Sequence, residues 1–107
     1  MHSGEIWTLR DDAYASKARP VVVVQDAEVE NFDSIVLCLL TSFDSDNIST
    51  RVKVRPTADN ALTRDSFVMT EKIVTVDKAL LGTKIGFLDE LTMKEIRNQL
   101  AFLLGIK

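Results

Sequence analysis

The sequence predicts a mainly β (α+β) fold, a small barrel or sandwich of short strands followed by one C-terminal α-helix. Three observations lead there. Strand-like segments recur at close spacing up to Leu88 with few long loops, whereas a parallel α/β sheet would need long helices between its strands. Two of the segments, Val21-Val22-Val23-Val24 and Ile35-Val36-Leu37-Cys38-Leu39-Leu40, are unbroken apolar runs, the signature of strands buried on both faces. Thr92 to Leu104 then switches to helical periodicity.

Taken in order, Gly4 to Leu9 alternates Ile6 and Thr8 with Trp7 and Leu9, a first strand. Asp11 to Ala18 is polar around Tyr14 and reads as a loop that can lie over a site, with Tyr14 placed either to stack on a base or to plug the end of the fold. In Lys17-Ala18-Arg19-Pro20, the proline stands where a strand tolerates it, at the start. The stiff, β-branched valines behind it give a central strand over Val21–Gln25. Arg19 is thereby held at the mouth of a buried strand.

Asp26 to Ser34 is acidic and aperiodic, a surface loop. The strand Ile35–Leu40 follows and stops at the hydroxyl pair Thr41-Ser42. Asp44 to Ser49 is rich in turn residues, and Arg51 to Arg55 alternates Arg51, Lys53 and Arg55 with Val52 and Val54 before Pro56 ends the strand. Asp59 to Arg64 reads as a loop. Ser66–Met69 is a short strand, Glu71-Lys72-Ile73 its continuation or exit, Val76–Leu81 a helical turn, and Gly82–Leu88 a last strand. In the helix, Thr92 with Glu95 forms a capping-box pattern and Gly105 fits a C′ position. Met93, Ile96, Leu100 and Leu103 form its apolar stripe, with Leu104 adjoining, to be packed on the same subunit or on a partner.

With 107 residues, 46% of them hydrophobic, the chain is expected to form one domain, 1–107, with a core that needs neither disulfides nor metal. Its one cysteine, Cys38, lies in an apolar run and reads as a core residue. No apolar stretch approaches the roughly 20 residues of a membrane span, and no signal-peptide pattern opens the chain, so a soluble, cytoplasmic protein with no membrane association is expected. The net charge of −3 does not advertise nucleic-acid binding. Its distribution is more informative: no acidic residue falls between Asp46 and Asp59, where Arg51, Lys53 and Arg55 make a basic strand face. Such a face is either an ordinary solvated surface or a set of phosphate contacts.

There is no glycine-rich phosphate loop, paired-cysteine motif, His-Glu-x-x-His or nucleophile elbow, and the only histidine, His2, is near the first residue. Neither a bound metal nor another cofactor is expected. The side chains left for catalysis are Arg19, Thr41, Ser42 and Glu71. Arginine and threonine at the ends of two buried strands suit phosphoryl transfer: a guanidinium fork and a hydroxyl can each hold an oxygen of a pentavalent phosphorane. With RNA, the substrate's own 2′-OH supplies the nucleophile. A structural Arg19, paired with Asp11, Asp12 or Glu71, is the other reading of the same residues.

Several pieces in order resemble the MazF/PemK-type toxins of bacterial toxin–antitoxin systems: Gly4-Glu5-Ile6-Trp7, Arg19-Pro20-Val21-Val22-Val23, Thr41-Ser42, Ser66-Phe67-Val68-Met69 with Glu71-Lys72-Ile73 and Thr75-Val76, and Ile85-Gly86 with Leu88. The resemblance implies an SH3-like β-barrel with a C-terminal helix and a homodimer. It also implies a metal-independent endoribonuclease that cuts single-stranded RNA at short sequences and leaves a 2′,3′-cyclic phosphate and a 5′-OH. It further implies a cognate, MazE-like antitoxin that blocks the RNA groove. Arg19 and Thr41 take the family's catalytic positions. Ser16, Lys17, Gln25, Ser42, Arg51, Lys53 and Glu71 become candidates for substrate contacts, and Ser16 and Lys17 stand where the loop lacks the family's G-S-E-Q-like piece. Two alternatives remain: a gyrase poison resembling CcdB, which relies on a C-terminal tryptophan where this chain ends Gly105-Ile106-Lys107, and a non-catalytic interaction barrel.

Overall fold

The computed structural model describes residues 1–10, 18–30 and 32–107. The loop expected to cover a site, with Tyr14, Ser16 and Lys17, lies outside the described residues. The elements are β1 (Glu5–Leu9), β2 (Arg19–Val23), β3 (Ser34–Thr41), β4 (Arg51–Val54), β5 (Ser66–Asp77), β6 (Leu81–Phe87) and α1 (Glu90–Leu104), with a 3₁₀ turn at Lys78–Leu80 before β6. The strands form one antiparallel sheet in the order β4-β5-β3-β2-β1-β6. It is mainly β with a C-terminal helix, as the sequence predicts, but β4 and β6 stand as two edges of an open sheet instead of meeting to close a barrel.

The two apolar runs occupy the middle of the sheet, and alternation along them divides the core in two. Val22, Cys38 and Leu40 join Ile6, Val52, Val54 and Val68 on one face, which α1 covers with Met93 and Ile96. Val21, Val23, Ile35 and Leu37 face the other way with Leu9 and Val76, and Trp7, Leu80 and Leu81 pack against them. Cys38 is fully buried, and burial, aided by the charge of Glu71, pushes its thiol pKa up to about 12. It is a core residue with no thiolate to offer.

β2 runs from Arg19 to Val23, two residues earlier than the apolar run suggests, because Arg19 and Pro20 pair with Leu9 and Thr8 of β1. It stops at Val23 because the N–H groups of both Val24 and Gln25 turn to one acceptor, the Val36 carbonyl, at 3.2 Å. The two segments expected around Glu71 are a single long strand, β5. Its register slips where Cys38 pairs with Ile73 while the next residue, Leu39, pairs with Met69, so Thr70, Glu71 and Lys72 bulge out of the ladder. Thr70 is buried within the bulge and its hydroxyl donates to the Thr50 carbonyl at 2.6 Å. The helical turn expected over Val76–Leu81 contracts to Lys78–Leu80, introduced by the Asp77 carboxylate, which accepts the Ala79 N–H at 2.9 Å.

The helix begins at Glu90, earlier than Thr92. Asp89 is the cap: its carboxylate accepts the Thr92 N–H at 2.7 Å, so Thr92 is the residue capped. Gly105 takes the left-handed conformation (φ 71°) expected of a C′ glycine. Met93 and Ile96 are buried and Leu100 packs, half-buried, against the same core, while Leu103 and Leu104 are exposed. Packing on its own sheet is thus what the structure decides for the N-terminal half of α1. No described helix is long and apolar enough to cross a membrane.

Candidate active site

The sheet places the first residue of β2 beside the last residue of β3. Val21 pairs with Leu39 in the β2–β3 ladder, and continuing that antiparallel register by two residues sets Arg19 across from Thr41. Thr41 in turn pairs with Phe67 of β5, and Phe67 with Lys53 of β4. Residues directly opposite in antiparallel strands share a face, so Arg19, Thr41, Phe67 and Lys53 form one row across the sheet.

A cavity of about 350 Å³ opens at the Arg19 end of this row. One wall is Arg19 and Pro20, another is Leu40, Thr41 and Ser42, and Ser66 closes it from the start of β5. The remaining wall comes from the loop before β5, through Leu62, Thr63 and Arg64. Two guanidinium groups and four hydroxyls thus line the cavity, and no carboxylate is among its described lining residues. On a chain of net charge −3 this is a concentrated positive site, rich in hydrogen-bond donors and suited to an anion with several oxygens.

The backbone fixes the Thr41 hydroxyl. The Phe43 N–H donates to Thr41 Oγ1 at 3.1 Å, a local turn typical of a threonine that ends a strand. One lone pair of the oxygen is occupied, which leaves the hydroxyl proton for a donor role. Ser66 is held by donating its hydroxyl to the Arg64 carbonyl at 3.1 Å.

Asn60, which is buried, builds the loop that carries Arg64. Its Oδ1 accepts the N–H groups of Thr57 and Leu62, each at 3.0 Å, and its Nδ2 donates to the Arg55 carbonyl at 2.8 Å. Thr57 answers by accepting the Asn60 N–H on its hydroxyl. The loop rests on β6 at Gly86, where a Cβ would lie 2.3 Å from the Asp59 carbonyl oxygen, and the Phe87 N–H donates to that same oxygen at 3.0 Å. Only glycine allows this approach. A side-chain amide and a glycine therefore hold the turn from Thr57 to Leu62 that leads to Arg64.

Of the candidates named from the sequence, Arg19, Thr41 and Ser42 converge on the cavity, and Ser16 and Lys17 lie outside the described residues. Gln25 does not reach it: it follows the opposite end of β2, and its amide is engaged there, accepting the Val36 N–H at 3.0 Å and donating to the Val29 carbonyl at 2.7 Å. Arg51 is also removed from it. Its guanidinium contacts Glu71 at 2.5 Å and donates to the Ser45 hydroxyl at 2.9 Å, fastening β4 to the bulge of β5 and to the turn before it. Glu71 is the partner in that pair, and the Arg51 hydrogen bonds hold its carboxyl below the usual pKa of 4.5, which suits a structural anion and not a proton acceptor. Lys53 stands on the same row as Thr41 but two strands away, roughly 10 Å by strand spacing. Its ammonium lies 5.8 Å from the centre of the Phe67 ring and 3.5 Å from the Asp46 carboxylate.

Sequence reasoning missed Arg64, with Thr63 and Ser66. The only local signal is a cation just before a strand, the same arrangement as Arg19 before its valines. Nothing in the linear order links two such positions 45 residues apart in sequence (Arg19 and Arg64).

An open antiparallel sheet with a terminal helix and an arginine- and hydroxyl-lined cavity at the ends of its central strands defines a small β protein with a donor-rich cavity suited to a polyoxygen anion. A family model described as the PemK-like, MazF-like toxin of type II toxin–antitoxin systems matches residues 2–104, and the chain belongs to this family. It is 32% identical to the probable endoribonuclease MazF of Mycolicibacterium smegmatis, over 99% of this chain and 98% of that one. Among solved structures, a mycobacterial endoribonuclease in complex with its cognate antitoxin superposes with a TM-score of 0.83 at 25% identity, covering 100% of this chain and 97% of that one. The Mycobacterium tuberculosis toxin MazF-mt6 shares the fold with a TM-score of 0.82 at 22% identity, covering 96% and 98%.

Proposed function

We propose that this chain, acting as a single domain over 1–107, is the toxin of a type II toxin–antitoxin pair: a metal-independent endoribonuclease of the cytoplasm that cuts single-stranded RNA and so inhibits translation. The observation that carries the reading is the convergence of Arg19 and Thr41 on one cavity that also holds Arg64 and is lined by four hydroxyls. Membership of the toxin family and the name of the M. smegmatis relative support it.

In this reading the 2′-oxygen of RNA attacks the adjacent phosphorus and the bond from phosphorus to the 5′-oxygen breaks. A proton leaves the 2′-oxygen and one reaches the departing 5′-oxygen, giving a 2′,3′-cyclic phosphate and a 5′-OH. Charge on the two non-bridging oxygens peaks in the phosphorane. Arg19 grips one side with its planar fork, and the Thr41 hydroxyl, whose lone pair is occupied by the Phe43 N–H, donates to the other. Groups positioned before the reaction stabilise such charge without reorganisation. Ser42 adds a hydroxyl at the rim, and Lys53 extends the row along which the strand can lie. The partners are a second copy of the chain and a cognate antitoxin; the solved mycobacterial complex of an endoribonuclease with its antitoxin supports the latter.

The test is incubation of the purified protein with mixed single-stranded RNA in EDTA, mapping cut sites and end groups. Discrete cuts with cyclic-phosphate ends are expected, lost in Arg19→Ala and slowed by about 10²-fold or more in Thr41→Val, which keeps the shape and removes the donor. Full activity of Arg19→Ala would overturn the site assignment. Absence of cutting by the wild type at any salt concentration would leave a binding module or gyrase poison, separable by a supercoiling assay.

A further inference from the structure

Arg64 reaches the same cavity as Arg19 from a different wall, and no ion pair occupies it among the described residues. Resting on the endoribonuclease reading, we infer that Arg64 is a second RNA ligand, gripping the phosphate that flanks the one being cut and setting affinity and register, not the rate of the chemical step. The reacting phosphorane presents two non-bridging oxygens, and Arg19 and Thr41, side by side in the β2–β3 register, already supply a donor for each. A guanidinium on another wall is then free for the next anion along the chain, and RNA carries one at every linkage. The hydroxyls of Thr63 and Ser66 stand beside it.

The structure also treats Arg64 as a residue whose position matters. A loop built only to connect β4 to β5 has no need of a buried asparagine with three side-chain hydrogen bonds, nor of a glycine at which the β6 backbone meets Asp59. Both devices fix the turn from Thr57 to Leu62, two residues before Arg64. Asn60 and Gly86 are thus positioning residues for an RNA contact they do not make.

The experiment pairs Arg64→Ala and Arg64→Lys with RNA substrates in which single linkages next to the cut are neutral methylphosphonates. Melting temperature is checked to confirm that both variants are folded. Arg64→Ala is expected to raise KM about tenfold, the effect of losing one charge-assisted contact, with kcat within about twofold. It should reduce the magnitude of the salt dependence of binding (log K against log salt) by about 0.7, one phosphate's share on a single strand. Arg64→Lys should restore the salt dependence and part of the affinity. At one flanking linkage, neutralisation should weaken wild-type binding about tenfold and Arg64→Ala binding hardly at all, the signature of a direct pair. Additive losses at every flanking linkage, a fall in kcat without a change in KM, or no effect of Arg64→Ala would each overturn the inference. A wild type that neither binds nor cuts RNA would overturn the underlying reading instead, before any variant is compared.

Discussion

Replacing Gly86 by alanine tests whether the β6 contact holds the cavity wall in place. The added Cβ would lie 2.3 Å from the Asp59 carbonyl oxygen and 2.8 Å from the Asn60 carbonyl carbon and oxygen. Non-bonded heavy atoms settle at about 3.5 Å or more, so the loop must retreat by about 1 Å. The neighbours are backbone atoms, and no side-chain rotation can relieve the overlap. Retreat strains the Phe87 N–H bond to Asp59, now 3.0 Å. Overpacking costs about 1–3 kcal/mol and the hydrogen bond about 1 kcal/mol, offset by about 0.4–1 kcal/mol because alanine restricts the unfolded chain. The net loss is about 1–3.5 kcal/mol, which lowers the melting temperature of a domain this size by roughly 5–25 °C. Thermal unfolding followed by circular dichroism measures it, and RNA affinity measured at a temperature where the variant is folded reports the displaced Arg64. A melting temperature within 2 °C of wild type would refute the argument that this contact fixes the loop.

Two further outcomes follow from the same geometry. Asn60→Ala leaves the Thr57 and Leu62 N–H groups and the Arg55 carbonyl without their partner, a loss of about 2–4 kcal/mol in a chemical-denaturation series; Asn60→Asp keeps the acceptor but sets a carboxylate oxygen against the Arg55 carbonyl in a buried site, so it should not restore stability at pH 7, and a wild-type-like Asn60→Asp would contradict the pairing described. For the Arg51–Glu71 pair, the folded-state pKa of Glu71 is depressed, so its stabilisation is complete above 4.5 and disappears as pH falls through the lower folded value. With the Glu71 side chain 34% exposed, solvent screening limits the effect to about 1 kcal/mol. The melting temperature of Glu71→Gln should therefore lie a few degrees below wild type at pH 7, and the gap should narrow as pH drops below 4.5; a constant gap would remove the ion pair as its cause.

The sequence by itself determined the elements whose cause is local. Unbroken β-branched runs can only be satisfied as strands covered on both sides, so the two central strands are readable from Val21–Val24 and Ile35–Leu40, and with them the positions of Arg19 and Thr41 at strand ends. Helical periodicity and Gly105 determined α1, although its start was misplaced because a carboxylate at Asp89 caps as well as a threonine, and the capping-box pattern favours Thr92. The linear order also suggested a basic strand at Arg51–Arg55 without showing what each cation meets.

Only the tertiary structure decided those partners. Arg51 is held by Glu71, two residues beyond its β5 pairing partner Met69, and a strand register leaves no compositional mark. Gln25 serves the wrong end of its strand for the cavity, since direction along β2 separates it from Arg19. Whether the sheet closes depends on its accumulated twist and on the two edge strands, which no single segment encodes. Arg64 joins Arg19 only because Asn60 folds one loop and Gly86 lets another strand touch it, a meeting of three distant segments. A residue's own type and its near neighbours set its secondary structure, but the charge that faces it across a cavity is set by chain reversals elsewhere.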